Sequence, residues 1–255
     1  MTDIRKEDAK FYEAVTTFTE DIAFYKDHIP KSNATILELG CGTGRVTIPL
    51  AESCESIVGV DNSKAMLDLG RNKVADLAMP DNKIKFIHAD ITQLKLDENF
   101  GLVIAPFRVL QNLAIDKEVD GFFSVIKDHL SPEGFCILNV FNPKWQREEL
   151  MNRWGSTEEE LDDERPFKSG ILKRYVVKDK FTENPFVLYP TMISRYFIGD
   201  DLQKETQFTI PMRVYYPDEF KHLIENYGFT IVDSWGGYEG EEYGTGTELV
   251  VKFRL

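Results

Sequence analysis

The stretch ATILELGCGTGRVTIPLA, from Ala34 to Ala51, decides the fold of this chain. It opens with a short apolar run, Ile36–Leu39, which is typical of a strand buried on both faces. A helical pattern then runs from Thr43 to about Glu52. Three glycines stand at every second position where the strand meets the helix, Gly40, Gly42 and Gly44. Residues without a Cβ let the backbone turn tightly and contact a ligand, so the stretch predicts a binding turn between a strand and a helix.

The composition and net charge of the chain limit the kinds of partner and function that we expect for it. The 255 residues are 42% apolar and 12% aromatic, which suits one large domain or one domain with an insertion. The formal net charge of −13 repels phosphate backbones and anionic lipid, so we expect neither a nucleic acid nor a membrane partner. The stretch MTDIRKEDAK lacks the apolar run of a signal peptide, and no stretch approaches the roughly 20 apolar residues of a membrane span.

The three cysteines are Cys41, Cys54 and Cys136. They lack the spacing of a metal site, and their odd number argues against a disulfide framework. We therefore expect no metal ion and a reducing, cytoplasmic location.

Strands and helices alternate through the first half of the chain, and this predicts a parallel sheet with helices on both faces. The further predicted strands are Ser56–Asp61, Lys83–Asp90, Phe100–Phe107 and Phe135–Phe141. Ser63 and Asp116 are predicted to cap the intervening helices. The pattern resumes at Tyr216, with a helix whose first turn holds Pro217. Two β runs follow, Phe229–Trp235 and Thr247–Phe253.

Residues 146–215 interrupt this pattern. The acidic run EEELDDER within them is interpreted as a solvated surface. From Ile171 to Met212 the sequence alternates in β fashion, with a hairpin turn at Gly199-Asp200-Asp201. We expect an antiparallel insertion built onto the main sheet, which forms a substrate lid or a dimer contact. Residues 1–145 and 216–255 would form the core. The insertion's Tyr175, Arg195, Tyr196 and Phe197 would wall an acceptor pocket or form its own small core.

Acidic residues stand at the ends of two predicted strands. A carboxylate at Asp61 can accept both hydroxyls of a ribose. Asp90 can bind the exocyclic amine of an adenine, and Ile91 can cover its ring. Together with the glycine turn they predict an adenosine-containing ligand. Arg45 occupies the third small position of the dinucleotide fingerprint, and the sequence lacks the G-K-[ST] of a P-loop.

Three segments, LELGCGTG, GVDNSKAML and IHADI, resemble the first three motifs of class I S-adenosylmethionine-dependent methyltransferases. The resemblance covers residues 34–141 and resumes at 216–254. It implies an α/β fold: a Rossmann-like, doubly wound seven-stranded sheet of order 3-2-1-4-5-7-6 with the last strand pair antiparallel. It also implies S-adenosyl-L-methionine as the cofactor. The segment APFR lacks the [DNS]-P-P-[YFW] motif of the enzymes that methylate amino groups of nucleic acids.

The resemblance also assigns site residues. Those implied to bind the cofactor are Glu38, Gly40, Cys41, Gly42, Asp61, Asn62, Met66, Asp90, Ile91, Ala105 and Phe107. Tyr12, in a predicted N-terminal helix outside the matched segments, is expected to close over the cofactor. Residues that follow the fourth and fifth strands would contact the substrate, and they are Arg108, Asn142 and Trp145. No catalytic side chain is assigned, because a sulfonium is already an activated methyl donor. The protein must mainly align the acceptor and exclude water.

The leading hypothesis is therefore a methyltransferase that acts by in-line displacement on a small-molecule amine or hydroxyl. Three alternatives stay open: a cofactor-binding regulatory module without turnover, a protein or peptide methyltransferase, and a nicotinamide oxidoreductase. The sequence leaves undecided the acceptor, the use of a general base, and whether the chain forms a homodimer through the insertion.

Overall fold

A computed structural model describes residues 5–6, 8–31, 34–77 and 79–255. Two helices precede the first strand, and strands and helices then alternate. The elements up to residue 141 are α1 Ala9–Val15, α2 Glu20–Asp27, β1 Thr35–Leu39, α3 Thr47–Ala51, β2 Ser56–Asp61, α4 Lys64–Ala75, β3 Ile84–His88, β4 Phe100–Ala105, α5 Asp116–His129 and β5 Leu130–Phe141. A 3-10 turn, Val109–Asn112, follows β4.

A mainly β segment comes next, and the chain then returns to the alternating pattern. The inserted elements are α6 Arg147–Asn152, β6 Ser156–Phe167, β7 Gly170–Lys178, β8 Phe181–Glu183, β9 Phe186–Leu188, β10 Thr191–Ile198, β11 Asp201–Thr209 and β12 Met212–Arg213. The closing elements are α7 Pro217–Asn226, β13 Thr230–Trp235 and β14 Glu248–Arg254.

The main sheet has seven strands in the order β13-β14-β5-β4-β1-β2-β3. Strands β1 to β5 pair in parallel, whereas β14 lies antiparallel to both β5 and β13. The sheet order and the antiparallel last pair that the sequence predicts are confirmed. The apolar stripe of α5 packs on this sheet through Val119, Phe122, Phe123 and Ile126, all buried. Burying each such side chain stabilises the fold by about 1.5–3 kcal/mol.

The inserted strands form sheets of their own. One has four strands in the order β11-β10-β7-β6, and the other has three in the order β12-β9-β8. The expectation that the insertion is built onto the main sheet is therefore wrong. The insertion leaves the core after β5, and β14 already occupies the free edge of β5, from Glu248 opposite Phe141 to Phe253 opposite Cys136.

The acidic run lies in β6, an edge strand that the sequence did not predict. Its side chains are largely exposed, and they pair with basic residues of the adjacent strand β7 and of β10 beyond it. The pairs are Glu159–Arg195, Glu160–Lys178, Asp162–Arg174 and Glu164–Lys173. Each exposed pair adds little stability, but opposite charges across strands fix which strands pair.

Several element boundaries differ from prediction. The helix α3 begins at Thr47 rather than Thr43, because Pro49 has no N–H to donate to the Arg45 carbonyl. Asp116 is the first residue of α5 and not its cap; the Glu118 carboxylate instead accepts from the N–H of Ala114 at 3.0 Å. Ser63 does cap α4, where its Oγ accepts from the Met66 N–H at 3.3 Å.

Two strands end early, and this shapes the site. The strand β4 ends at Ala105, because Phe107 and Arg108 have φ values of 58° and 66° that lie outside the extended region. The strand β3 ends at His88, so Asp90 lies in the loop beyond it.

The first helix lies against the insertion. Phe11 and Val15 pack with Leu172 and Tyr196 in a small separate core. The Thr206 hydroxyl donates to Asp8 Oδ1 at 2.8 Å. The N-terminal segment thus spans from the inserted sheet toward the carboxyl edge of the main sheet. Among the described residues, no helix is both long and apolar enough to cross a membrane.

Candidate active site

The glycine turn follows β1 at the carboxyl edge of the sheet. Gly40, Gly42 and Gly44 have φ values of 77°, 55° and 79°, a region that favours glycine. A Cβ on Gly40 would lie 2.5 Å from Val109 Cγ2, and one on Gly44 would lie 2.9 Å from Phe86 Cζ. Packing within the protein therefore requires those two glycines. A Cβ on Gly42 would meet Met66 Cε at 3.3 Å, so Gly42 is the turn glycine beside the predicted cofactor residues.

The Asp61 carboxylate fixes this turn. Its Oδ2 accepts from the Gly42 N–H at 2.8 Å, and its Oδ1 accepts from the Ser63 N–H at 2.8 Å. The N–H groups of Gly40 and Cys41 both donate to the Val60 carbonyl, at 2.8 and 3.0 Å. Hydrogen bonds to an ionised carboxylate are short and strong. The turn is therefore tied to the end of β2 and the start of α4.

Glu38 lies buried beneath the turn. Its side chain accepts from the Thr47 hydroxyl at 2.6 Å and thereby links β1 to α3. Burial raises the pKa of the Glu38 carboxyl from 4.5 to about 8, because the charged form loses its hydration. The group is therefore mainly protonated at pH 7.

Asp90 and Ile91 lie beside this turn, one strand farther along. In the sheet register Asp61 pairs with His88, so Asp61 and Asp90 leave adjacent strands at the same edge. Asp90 Oδ1 accepts from the Thr92 N–H at 2.9 Å and from its hydroxyl at 2.7 Å. The His88 Nε2 lies 3.1 Å from the carbonyl oxygen of Asn62. The structure thus brings the predicted ribose and adenine residues to one edge.

Two neighbouring cavities lie at this edge. The smaller, about 30 Å³, is lined by the glycine turn together with Glu38 and Arg45. The larger, about 790 Å³, lies between the N-terminal segment and one face of the inserted four-stranded sheet. Tyr12 and Phe107 line both cavities. A ligand on the glycine turn and a ligand in the larger cavity would therefore share these two rings as a common wall.

Arg45 is a site residue that the sequence did not single out for a role. Its guanidinium donates to both Asp21 oxygens, at 2.6 and 2.7 Å, and to the Phe18 carbonyl at 2.9 Å. It also lies 5.1 Å from the centre of the Phe107 ring. The pair holds α2 and its preceding loop over the smaller cavity. Its partner lies 24 residues away, and no short motif signals such a distant contact.

The predicted substrate residues already have partners within the protein. The Arg108 guanidinium forms an ion pair with Glu248, with Nε 3.1 Å from Oε1. Asn142 Nδ2 donates to the carbonyls of Gly244 and Gly246, both at 2.8 Å. Arg108 lines the larger cavity, whereas the Trp145 ring lies beneath the Arg153 guanidinium, 4.1 Å away. Their role in binding substrate stays a prediction.

The inserted sheet faces the larger cavity with residues that the sequence reading did not select. Side chains alternate between the two faces of a strand. Arg174, Val176 and Met192 point into the cavity. Tyr175 and Arg195 stand at the alternate positions, and Arg195 pairs there with Glu159 and Glu205. Tyr196 packs in the small core with Phe11. None of Tyr175, Arg195, Tyr196 and Phe197 lines the cavity, so the expectation that they wall the pocket is wrong. Other residues of the same strands, Arg174, Val176 and Met192, line it instead.

Comparison with protein families finds one matching model, described as a methyltransferase domain, over residues 36–134. A cypemycin N-terminal methyltransferase from Streptomyces sp is 29% identical over 122 residues, which cover 48% of each chain. A dTDP-3-amino-3,6-dideoxy-alpha-D-glucopyranose N,N-dimethyltransferase from Streptomyces fradiae is 28% identical over 48% of this chain and 44% of that one. The matched segment thus spans about half the length of these curated relatives.

Solved structures match over the whole chain. An S-adenosylmethionine-dependent methyltransferase from Clostridium acetobutylicum has a TM-score of 0.77 at 16% identity and covers 97% of both chains. The CcbJ methyltransferase from Streptomyces caelestis has a TM-score of 0.76 at 22% identity and covers 99% of this chain and 98% of that one. At these identities the likeness establishes the fold, including the insertion.

Proposed function

We propose that the chain is a class I S-adenosylmethionine-dependent methyltransferase that methylates a small-molecule amine or hydroxyl. Its match to a methyltransferase domain over residues 36–134 and its fold support this proposal. The observation that carries the proposal is the glycine turn. Asp61 fixes its Gly42 amide at 2.8 Å, and Tyr12 and Phe107, which line the small cavity at the turn, also line a cavity of about 790 Å³.

The residues at the sheet edge fit S-adenosyl-L-methionine. Gly42 lies close to Met66, where a Cβ would meet Met66 Cε at 3.3 Å, and Asp61 and Asp90 offer carboxylates at the ends of adjacent strands. In this proposal Asp61 holds the ribose, Asp90 and Ile91 hold the adenine, and the turn holds the amino-acid part. The cofactor supplies a methyl group already activated on a sulfonium sulfur.

The remaining task of the chain is to position the acceptor and exclude water. Tyr12 and Phe107 line both cavities, so they would lie where the methyl donor and the acceptor meet. Arg45 holds the Phe107 ring and the α2 segment in place. An amine that binds in its neutral form needs no general base, and we assign none among the described residues.

Calorimetric titration with S-adenosyl-L-methionine and its demethylated product tests cofactor binding directly. We expect both to bind, and we expect Asp61→Ala to weaken binding at least 10-fold. The matched control Asp233→Ala removes an aspartate that also lies in the main sheet, at the far edge strand β13. Absence of binding at millimolar ligand, in a protein with an unchanged circular dichroism spectrum, would refute the proposal.

Turnover is tested separately, with labelled donor and a size-fractionated metabolite extract. Label in the small-molecule fraction supports small-molecule methylation, and label in the protein fraction would instead favour a peptide acceptor. Cofactor binding without transfer to any fraction would favour a regulatory module.

The inserted segment 146–215 is proposed to act as a substrate-binding subdomain on a core of residues 1–145 and 216–255. Its separate sheets support this division. Exposed apolar residues on its strands, among them Ile198 and Leu202, support self-association as a homodimer. Light scattering of the wild-type chain and of Leu202→Glu would test this. We further propose a cytoplasmic location, which suits three buried thiols at Cys41, Cys54 and Cys136.

A further inference from the structure

We infer that the acceptor is a drug-sized, amphipathic molecule without phosphate groups, neutral or cationic, whose apolar part lies on the inserted sheet. The inference rests on the proposed function and specifies its substrate class. It follows from the size, the charge pairing and the apolar wall of the larger cavity.

The first observation is volume. A cavity of about 790 Å³ lies within the range of about 300–1,000 Å³ that accommodates drug-sized ligands. Of the predicted cofactor residues, Tyr12 and Phe107 contribute to its lining, whereas Asp61, Met66 and Asp90 lie outside it. We therefore assign this cavity to the acceptor. A free amino acid or monosaccharide would leave much of it filled with water.

The second observation is charge. Four cations line the cavity, and each already has a carboxylate partner. The pairs are Arg5–Asp8, Arg108–Glu248, Arg174–Asp162 and Lys178–Glu160. Glu20 adds a fifth carboxylate to this set. A phosphate or diphosphate would have to displace a carboxylate from its cation, and the chain's net charge of −13 opposes its approach. A neutral or cationic acceptor meets neither obstacle.

The third observation is the apolar wall. Val176, Met192 and Phe208 stand side by side on three adjacent strands, because Met192 is in register with both of the others. The Arg5 guanidinium lies 4.2 Å from the Phe208 ring centre and 4.7 Å from that of Tyr12, so it bridges the sheet and the N-terminal segment. Phe107 lines the cavity from the core side. A flat or apolar body placed between these walls would contact both, and its polar groups would meet the ion pairs Arg174–Asp162 and Lys178–Glu160.

Three probes that share one amino sugar separate these features. They are the free amino sugar, the same sugar linked to a nucleoside diphosphate, and the same sugar as a phosphate-free aryl glycoside. Each is titrated calorimetrically into the chain, with and without saturating S-adenosylhomocysteine. We expect the aryl glycoside to bind at least 10-fold more tightly than the other two. Tighter binding of the diphosphate, equal binding of the free sugar, or binding of none of the three would overturn the inference.

Variants locate the bound probe. Met192→Ala and the conservative Phe208→Leu are expected to weaken the aryl glycoside at least 5-fold while the affinity for S-adenosylhomocysteine is unchanged. The control Ile171→Ala removes an exposed side chain of the same sheet that lies outside the cavity lining, and it should change neither affinity. Unchanged aryl glycoside binding in both cavity variants would count against the assigned wall. Failure of the proposed function is distinguishable, because it would appear as loss of S-adenosylhomocysteine binding in the wild-type chain.

Discussion

At Gly40 the backbone conformation and the surrounding space both exclude a side chain. Gly199, in the β10–β11 hairpin, has a similar positive φ of 59°, but a Cβ there would meet nothing within 4 Å. The two glycines therefore separate the conformational requirement from the steric one. Their comparison shows how much of the glycine turn is set by its neighbour Val109.

We predict that Gly40→Ala destabilises the fold by about 2–5 kcal/mol, from the left-handed conformation plus overpacking against Val109. Gly199→Ala carries the conformational cost alone and should lose about 1–2 kcal/mol. Urea denaturation of both variants measures the difference. Equal losses would show that Val109 moves aside without cost.

The buried carboxyl of Glu38 makes stability depend on pH. The folded protein keeps this proton up to about pH 8, whereas the unfolded chain loses it near pH 4.5, so unfolding releases a proton between these values. The free energy of unfolding should therefore fall by about 5 kcal/mol as the pH rises from 4.5 to 8, and level off above pH 8.

Glu38→Gln keeps a neutral side chain at every pH. The fall in the free energy of unfolding that Glu38 causes between pH 4.5 and 8 should therefore disappear in this variant. Urea denaturation at pH 5.5 and 8.5 checks the prediction, with the exposed Glu55→Gln as the control that retains the wild-type slope. If Glu38→Gln loses as much stability between pH 5.5 and 8.5 as the wild type does, another group causes the pH dependence.

At the scale of the elements, a buried ion pair between Arg45 and Asp21 fixes the short helix α2 to the turn that follows β1. The Arg45–Asp21 pair and the Lys64–Asp68 pair have the same N–O distance, 2.6 Å, but very different surroundings. The Asp21 side chain is 0% exposed, whereas those of Lys64 and Asp68 are 69% and 46% exposed. Removing one partner of a buried pair leaves an uncompensated charge, whereas an exposed charge is simply hydrated.

Arg45→Met should therefore destabilise the chain by about 3–5 kcal/mol, and Lys64→Met by at most about 1 kcal/mol. Adding Asp21→Asn to Arg45→Met should recover part of the loss, because the buried charge is then gone. Chemical denaturation of the wild type, the single variants Arg45→Met, Asp21→Asn and Lys64→Met, and the double variant provides the measurement. Additive losses in the double variant would mean that the two residues are not energetically coupled.

Most elements of the core could be predicted because their apolar periodicity is set by burial on the sheet. The stretch Ser56–Asp61 is a strand with the predicted bounds. The strand β6 could not be predicted, since its charged side chains face solvent and partners on other strands, and exposed positions impose no apolar pattern. The placement of the inserted sheet could not be predicted either. It depends on whether the edge of β5 is free, and β14, from the end of the chain, occupies that edge.

On the scale of the whole molecule, the N-terminal segment joins the inserted sheet to the core. Phe11 is buried against Leu172 and Tyr196, and the Arg165 guanidinium donates to the Ala14 carbonyl at 2.9 Å. Motifs near the glycine turn predicted the cofactor edge, because its residues are close in sequence to strand ends. The larger cavity forms only when segments as distant as Tyr12 and Phe208 meet, and no local pattern encodes that meeting.

We predict that Phe11→Ala loosens this contact by about 3–5 kcal/mol, as expected for a truncated buried aromatic side chain. Hydrogen exchange should accelerate in α1 and β7, whereas the amides of β1 and β4 should keep their protection. The control Val232→Ala removes an exposed side chain of β13 and should change neither rate of exchange. Acceleration throughout the main sheet would show that the segment contributes to the stability of the core itself.

The two rings shared by the cavities, Tyr12 and Phe107, have a thermodynamic consequence. An occupant on one side restricts the rotamers available on the other, so the affinities of donor and acceptor are linked. Linkage is symmetric: the factor by which the first occupant alters the Kd of the second equals the factor in the reverse direction. A single wall thus makes each ligand an effector of its neighbour's binding, without any long-range communication through the fold.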